Sequence, residues 1–220
     1  MEGQFIAPEL AAQGIDVQPG VGKLQMYEAI VEVKSESHTF DYTGEEYSWH
    51  VYTNTQLLSD QHHLEVTFQA SRRDAGSTQN YFTCKVYEGV GESRVDVTDR
   101  YYFKNTYGYI NVNKITITLQ ADTSEIKYSD LKKPVSEGGY GGRYDPQYYT
   151  LTADPEVLEL MERLGHRIVS VTQTGETLTG RGDFSDTEIG AVVIEDANGN
   201  TVTQNYDIKR LKGEISVTTK

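Results

Sequence analysis

Apolar and polar residues alternate along most of this chain. Ile30-Val-Glu-Val33, Leu64-Glu-Val-Thr-Phe68, Ile115-Thr-Ile-Thr-Leu119 and Ile168-Val-Ser-Val171 all repeat with period two and draw on Val, Ile, Thr and Tyr. Successive side chains of a strand point to opposite faces, so this pattern predicts half-buried β-strands. One stretch changes to the helical period, Asp154-Pro-Glu-Val-Leu-Glu-Leu-Met-Glu-Arg-Leu-Gly165. Asp154 suits an N-cap, Pro155 the first helical position and Gly165 the stop, with Leu158, Met161 and Leu164 on one face. A weaker short helix is expected at Pro8 to Gln13. Asn198-Gly199 lies between two alternating runs, and both residues tolerate positive φ, which predicts a β-hairpin over Asp196 to Asn200. Gly138 to Tyr149 reads as a turn-rich loop.

The alternating blocks recur. Gly-x-[Leu/Ile]-x-[Met/Val] is written as Gly22-Lys-Leu24-Gln-Met26, Gly108-Tyr-Ile110-Asn-Val112 and Gly213-Glu-Ile215-Ser-Val217. At a shift of 86, Ile30, Val31 and Val33 meet Thr116, Ile117 and Leu119, and Tyr42 meets Tyr128. At a shift of 105, Val97 to Val112 runs without a gap over Val202 to Val217. Between them His62, Leu64 and Gly76 meet His166, Ile168 and Gly180 at a shift of 104. The jump places an insertion between 133 and 165. The expected organisation is a tail of a preceding module in 1–27, a first β module in 28–114 and a second in 115–220. The fold class expected is mainly β: two tandem, mostly antiparallel modules, Ig-like sandwich or β-grasp-like, with one short helix inserted in the second.

Charge narrows the partners. The net charge is −13 and the isoelectric point near 4.8, so nucleic acid would be repelled. A lone cysteine, Cys84, excludes an intrachain disulfide. No apolar run approaches the length of a membrane span, and Met-Glu-Gly-Gln-Phe at the start lacks the layout of a signal peptide. Together with the partial module in front, this suggests a fragment excised from a longer protein.

A further pattern runs from a strand into a Tyr-Asp-Gly-like turn, a Gly-His strand, then Asp-x-Asn-Gly-x-x-Val-Thr-x-Asn-Tyr-x-Ile, closing on Gly-x-Leu-x-Val. Gly165-His166, Asp196-Ala-Asn-Gly199, Val202-Thr203, Asn205-Tyr206-Asp-Ile208 and Gly213-Glu-Ile-Ser-Val217 follow it. In these residues the chain resembles the tandem Ig-like or MBG-type (β-grasp-like) repeats of large Gram-positive, Firmicutes surface proteins. The first module departs from the pattern, with Gln61 before His62 and Arg100 in place of Asn205. The resemblance implies a non-catalytic stalk or adhesion module, extracellular and associated with the cell wall, whose partners are neighbouring modules and, in an adhesin, a host protein or glycan.

Candidate chemistry is sparse. Arg181-Gly182-Asp183 is the tripeptide that integrins read, although three common residues coincide easily. Tyr140, Tyr144, Tyr148 and Tyr149 lie in the inserted loop and could offer aromatic faces to a sugar or a protein, or could simply cover the inserted helix. His62, His63 and His166 lack partners at metal-ligand spacing, and the alignment of His62 with His166 points to a repeated structural position. Asp196, Asn198 and Asn200 echo a calcium loop but lack its closing glutamate. Cys84 sits in an alternating run where a small buried thiol is expected, and Lys34 aligns with Gln120, which supports no internal crosslink. No phosphate-binding loop, nucleophile elbow or carboxylate pair stands out, so no enzyme, cofactor or metal is expected.

Overall fold

The computed structural model describes residues 27–219. The first glycine motif and the segment Pro8 to Gln13 lie outside them. The protein is mainly β, as its alternation predicts.

The first module holds β1 (Ala29–Ser35), β2 (His38–Asp41), β3 (Tyr52–Asn54), β4 (His62–Phe68), β5 (Gly76–Gln79), β6 (Phe82–Glu88), β7 (Val95–Asp96), β8 (Tyr101–Thr106) and β9 (Tyr109–Asn113). The second holds β10 (Ile115–Gln120), β11 (Glu125–Lys127), helix α1 (Tyr128–Lys132), β12 (Thr150–Thr152), helix α2 (Pro155–Leu164), β13 (Arg167–Thr174), β14 (Phe184–Glu195), β15 (Tyr206–Leu211) and β16 (Gly213–Thr218). In the second module a sheet of order β12-β10-β15 faces one of order β11-β16-β14-β13. Ile115, Ile117 and Leu119 of β10 meet Ile189, Val192 and Ile194 of β14 in the core between them. The first module repeats this with β3-β1-β8 against β4-β6-β7 and β2-β9-β5, its counterpart of β14 being broken into β5 and β6.

The two modules share their registers. Ala29 pairs with Tyr101 as Ile115 pairs with Tyr206, and Phe40 with Val112 as Ile126 with Val217. In both, the two opening strands run parallel to the two closing ones, a pairing that alternation alone does not reveal. The repeated glycine has a local cause. Both strands of this pair bend there to pass from one sheet to the other, and a Cβ on Gly108 would lie 2.6 Å from the Glu36 carbonyl carbon. A Cβ on Gly213 would collide with the carbonyl oxygen of Asp122, the residue matching Glu36.

Other expectations need revision. Gly76 faces Val112, whereas the residue facing Val217 is Asp183, whose carbonyl accepts the Val217 N–H at 2.8 Å. Asp183, not Gly180, therefore holds the Gly76 position, because the second module's turn is longer. The insertion is also two insertions. Tyr47 bridges Arg72 as Tyr144 bridges Leu178, and Thr53 pairs with Lys34 as Thr150 with Gln120, both at a shift of 97. Against 86 at Tyr42, this adds 11 residues between Tyr128 and Tyr144, and the rise to 104 at the histidines adds 7 more around α2.

Helix α2 forms where its pattern places it, with Pro155 in the first turn and Gly165 left-handed at φ 66. Asp154 makes no side-chain cap bond. Its buried face is Val157, Leu160, Met161 and Leu164, while Leu158 is 41% exposed. The hairpin over 196–200 is present, but only Gly199 has positive φ, at 83. Asp196 closes the turn instead, its carboxylate accepting the N–H groups of Asn198 and Asn200 at 2.9 and 2.8 Å. Those bonds, with one from the Asn200 side chain, hold Asp196 below the usual carboxylate range and account for the calcium-like spacing.

Candidate functional site

Polar side chains gather at the repeated histidines, at the joint between the modules and at the far end of the second module.

His62 Nδ1 hydrogen-bonds the Tyr101 hydroxyl, and His166 Nδ1 the Tyr206 hydroxyl at 2.7 Å. The alignment of the two histidines thus marks one structural pair made twice. Beside it, Thr98 Oγ1 accepts the Val86 N–H at 2.9 Å and Thr203 Oγ1 the Ile194 N–H at 2.8 Å. Burial holds the His166 pKa below its ordinary value, partly offset by Asp196, and pushes the Tyr206 hydroxyl up. Among the described residues, no group of three or more His, Cys, Asp or Glu could hold a metal. Burial also pushes the Cys84 thiol up to about 11, leaving it protonated and unreactive at neutral pH.

At the joint, β9 leads through Lys114 directly into β10. Tyr42 and Val112 of the first module are buried in the core of the second, and Gly44 packs on Leu164 of α2. The helical half of the insertion therefore buttresses the joint. Asn205, fully buried, closes it. Its Oδ1 accepts the Ala75 N–H at 2.7 Å and its Nδ2 donates to Asp74 Oδ1 at 2.9 Å. Arg100 stands at the matching place in the first module and pairs with Glu28 at 2.7 Å instead. The contrast between Asn205 and Arg100 is visible in sequence; the two partners of Asn205 are not, being 130 and 131 residues away.

The far end holds the predicted ligand residues, and they do not form one surface. Tyr144 is 1% exposed and donates its hydroxyl to Asp122 Oδ2 at 2.7 Å, so it belongs to the interior and not to a ligand platform. Burial and this carboxylate push its pKa up. Tyr140 packs edge-to-face on Tyr144, with centroids 5.0 Å apart. Only Tyr148 and Tyr149 reach well into solvent, at 56% and 38%. In the Arg181-Gly182-Asp183 turn, the Asp183 carboxylate accepts the N–H groups of Thr179 and Gly180 at 2.8 and 2.7 Å, which lowers its pKa. The Arg181 guanidinium lies 4.5 Å above the Tyr128 ring. Both charges are engaged within the module.

Asp122 organises this end, and no sequence motif announced it. It is 2% exposed. Burial raises its pKa, but hydrogen bonds from Ser124, Gln147, Tyr144 and Tyr148 outweigh that and hold it below the ordinary value. One ionised carboxylate thereby anchors the loop at residues 144–148 to the end of β10.

An open groove beside α2 is lined by Tyr149, Leu151, Leu158, Met161, Glu162, His166, Arg167 and Ile168. Its walls are mostly apolar, with Glu162, His166 and Arg167 as the ionisable residues among them. No helix among the described residues is long and apolar enough to cross a membrane. The chain matches no family model and no curated protein.

Proposed function

We propose that these modules are a non-catalytic, tension-resisting spacer in a repeat-built bacterial cell-surface protein. The observation that carries this reading is the parallel pairing of each module's opening strands with its closing strands, β1 with β8 and β2 with β9, then β10 with β15 and β11 with β16. Tension applied to the chain ends draws the two strands of such a pair in opposite directions. All the hydrogen bonds between them then resist together in shear. The joint has the same character: a continuous strand, a buried Tyr42 and a doubly bonded Asn205 transmit load between modules without a slack linker. The acidic surface suits a solvated, extended stalk.

Single-molecule pulling tests this. Drawn from its ends, the protein is expected to unfold in two steps of unequal length, at forces well above those needed when handles at positions 63 and 87 peel β4 from β6 one pair at a time. Equal forces in the two geometries would sink the reading. Exposure of Tyr148 and Tyr149 supports the adhesive alternative. A glycan array on the protein and on Tyr148→Ala, with integrin binding on Asp183→Glu, decides that one.

A further inference from the structure

The surface on which the second module sits has a counterpart at the far end of the second module, and that counterpart is already covered. In the first module the receiving surface is Tyr42, Tyr47, Val112 and the Asp74-Ala75 turn. Their equivalents by register are Tyr128, Tyr144, Val217 and Arg181-Gly182. Val112 is buried by the second module, whereas Val217, equally buried, lies in a cluster completed by Leu131. Leu131 belongs to α1, at the start of the 11 added residues, and is fully buried. The added loop folds back on the helix through bonds from the N–H groups of Tyr140 and Gly142 to the carbonyls of Asp130 and Leu131, at 3.0 and 2.6 Å.

Both groups that receive Asn205 are also missing at this end. The acceptor carboxylate of Asp74 is replaced by the Arg181 guanidinium, which can only donate. The N–H matching that of Ala75 belongs to Gly182, and it is spent on the Val217 carbonyl at 3.0 Å. We infer that the loop insertion substitutes for a neighbouring module: it closes the far end of the second module against docking of the kind that joins the two modules here. An array containing this unit would be stiff at the internal joint and free to swivel after the second module. This goes beyond a spacer role, because it assigns the bending points, and it does not depend on cellular location.

The test uses the natural spacing. Thr219 matches Lys114, so a second copy of residues 115–219 is spliced directly after Thr219 in a Cys84→Ser background. Spin labels at the exposed, equivalent positions 102 and 207, and at 207 and its counterpart in the added copy, report the two joints. The internal joint is expected to give a narrow distance distribution and the new joint one roughly twofold broader or more, as for domains without a large shared interface. A new joint as narrow as the internal one overturns the inference. Replacing residues 129–143 by Thr-Gly-Glu-Glu, the sequence of 43–46, together with Arg181→Asp, is expected to narrow the new joint; a folded variant that stays broad also overturns it. If that variant does not fold, the first comparison still decides. A broad internal joint would instead strike at the spacer function.

Discussion

At the scale of single residues, Asp122 ties together the far end of the second module. Its two carboxylate oxygens serve Ser124, Tyr144, Gln147 and Tyr148. Asp122→Ala leaves those donors without an acceptor and is expected to cost about 3 kcal/mol of unfolding free energy. Chemical denaturation would show this, and a cost within error of zero would mean that water replaces the carboxylate. The pH dependence has a definite sign. The folded pKa is depressed, so the stabilisation is complete above the unfolded value near 4 and is lost as pH falls through the lower folded value. Wild type should therefore lose stability on acidification below about pH 4 more steeply than Asp122→Asn. His166 acts in a higher window. Its folded pKa is also depressed, so burial favours the neutral ring, and stability falls as pH drops below the unfolded value near 6.5. His166→Asn should flatten the curve between about pH 7 and pH 5. A slope unchanged in that range would remove His166 from the account.

For the elements, the sequence was legible wherever short-range constraints dominate. Alternation located β1, β4, β10 and β13, and the Pro155 and Gly165 signals bounded α2, because strand faces and helix ends are set by neighbouring residues. The apolar face of α2 was harder to read. Leu158 shares the helical spacing of Met161 and borders the same groove, but it is exposed where Met161 is buried. Met161→Ala is expected to cost about 2–4 kcal/mol and Leu158→Ala under about 1, measured by thermal or denaturant unfolding. Equal losses would mean that the groove is filled in solution. Gly165→Ala should cost about 1–2 kcal/mol, since its φ is 66 and a Cβ would stand 2.8 Å from that of Ala197. α1 carried no such signal. Five residues give too little periodicity, and Leu131 is buried by a loop whose path depends on Asp122.

Across the whole molecule, Tyr42 and Asn205 tie the two modules together at the joint. Asn205→Ala leaves the Ala75 N–H and the Asp74 carboxylate without their partner, and is expected to lower stability by about 1–3 kcal/mol and broaden the distance distribution between positions 102 and 207. Asn205→Asp should do as much or more, because it sets a second carboxylate against Asp74. If neither variant broadens the distribution, Tyr42 and the continuous strand suffice to hold the modules.

Local patterns and a comparison of the chain with itself were enough to read the mainly β class, the repeat, the positions of the core strands and the one long helix. They also placed Gly108 and Gly213 at module ends, though not the reason for them. Each of these follows from interactions along the chain or from a comparison of the chain with itself. Only the folded chain shows that opening and closing strands pair in parallel, that Asn205 reaches Asp74, and that one part of the insertion packs at the joint and the other over Val217. Those outcomes join residues far apart in sequence, and the free energy of such contacts depends on which surfaces meet, a property that no local pattern encodes.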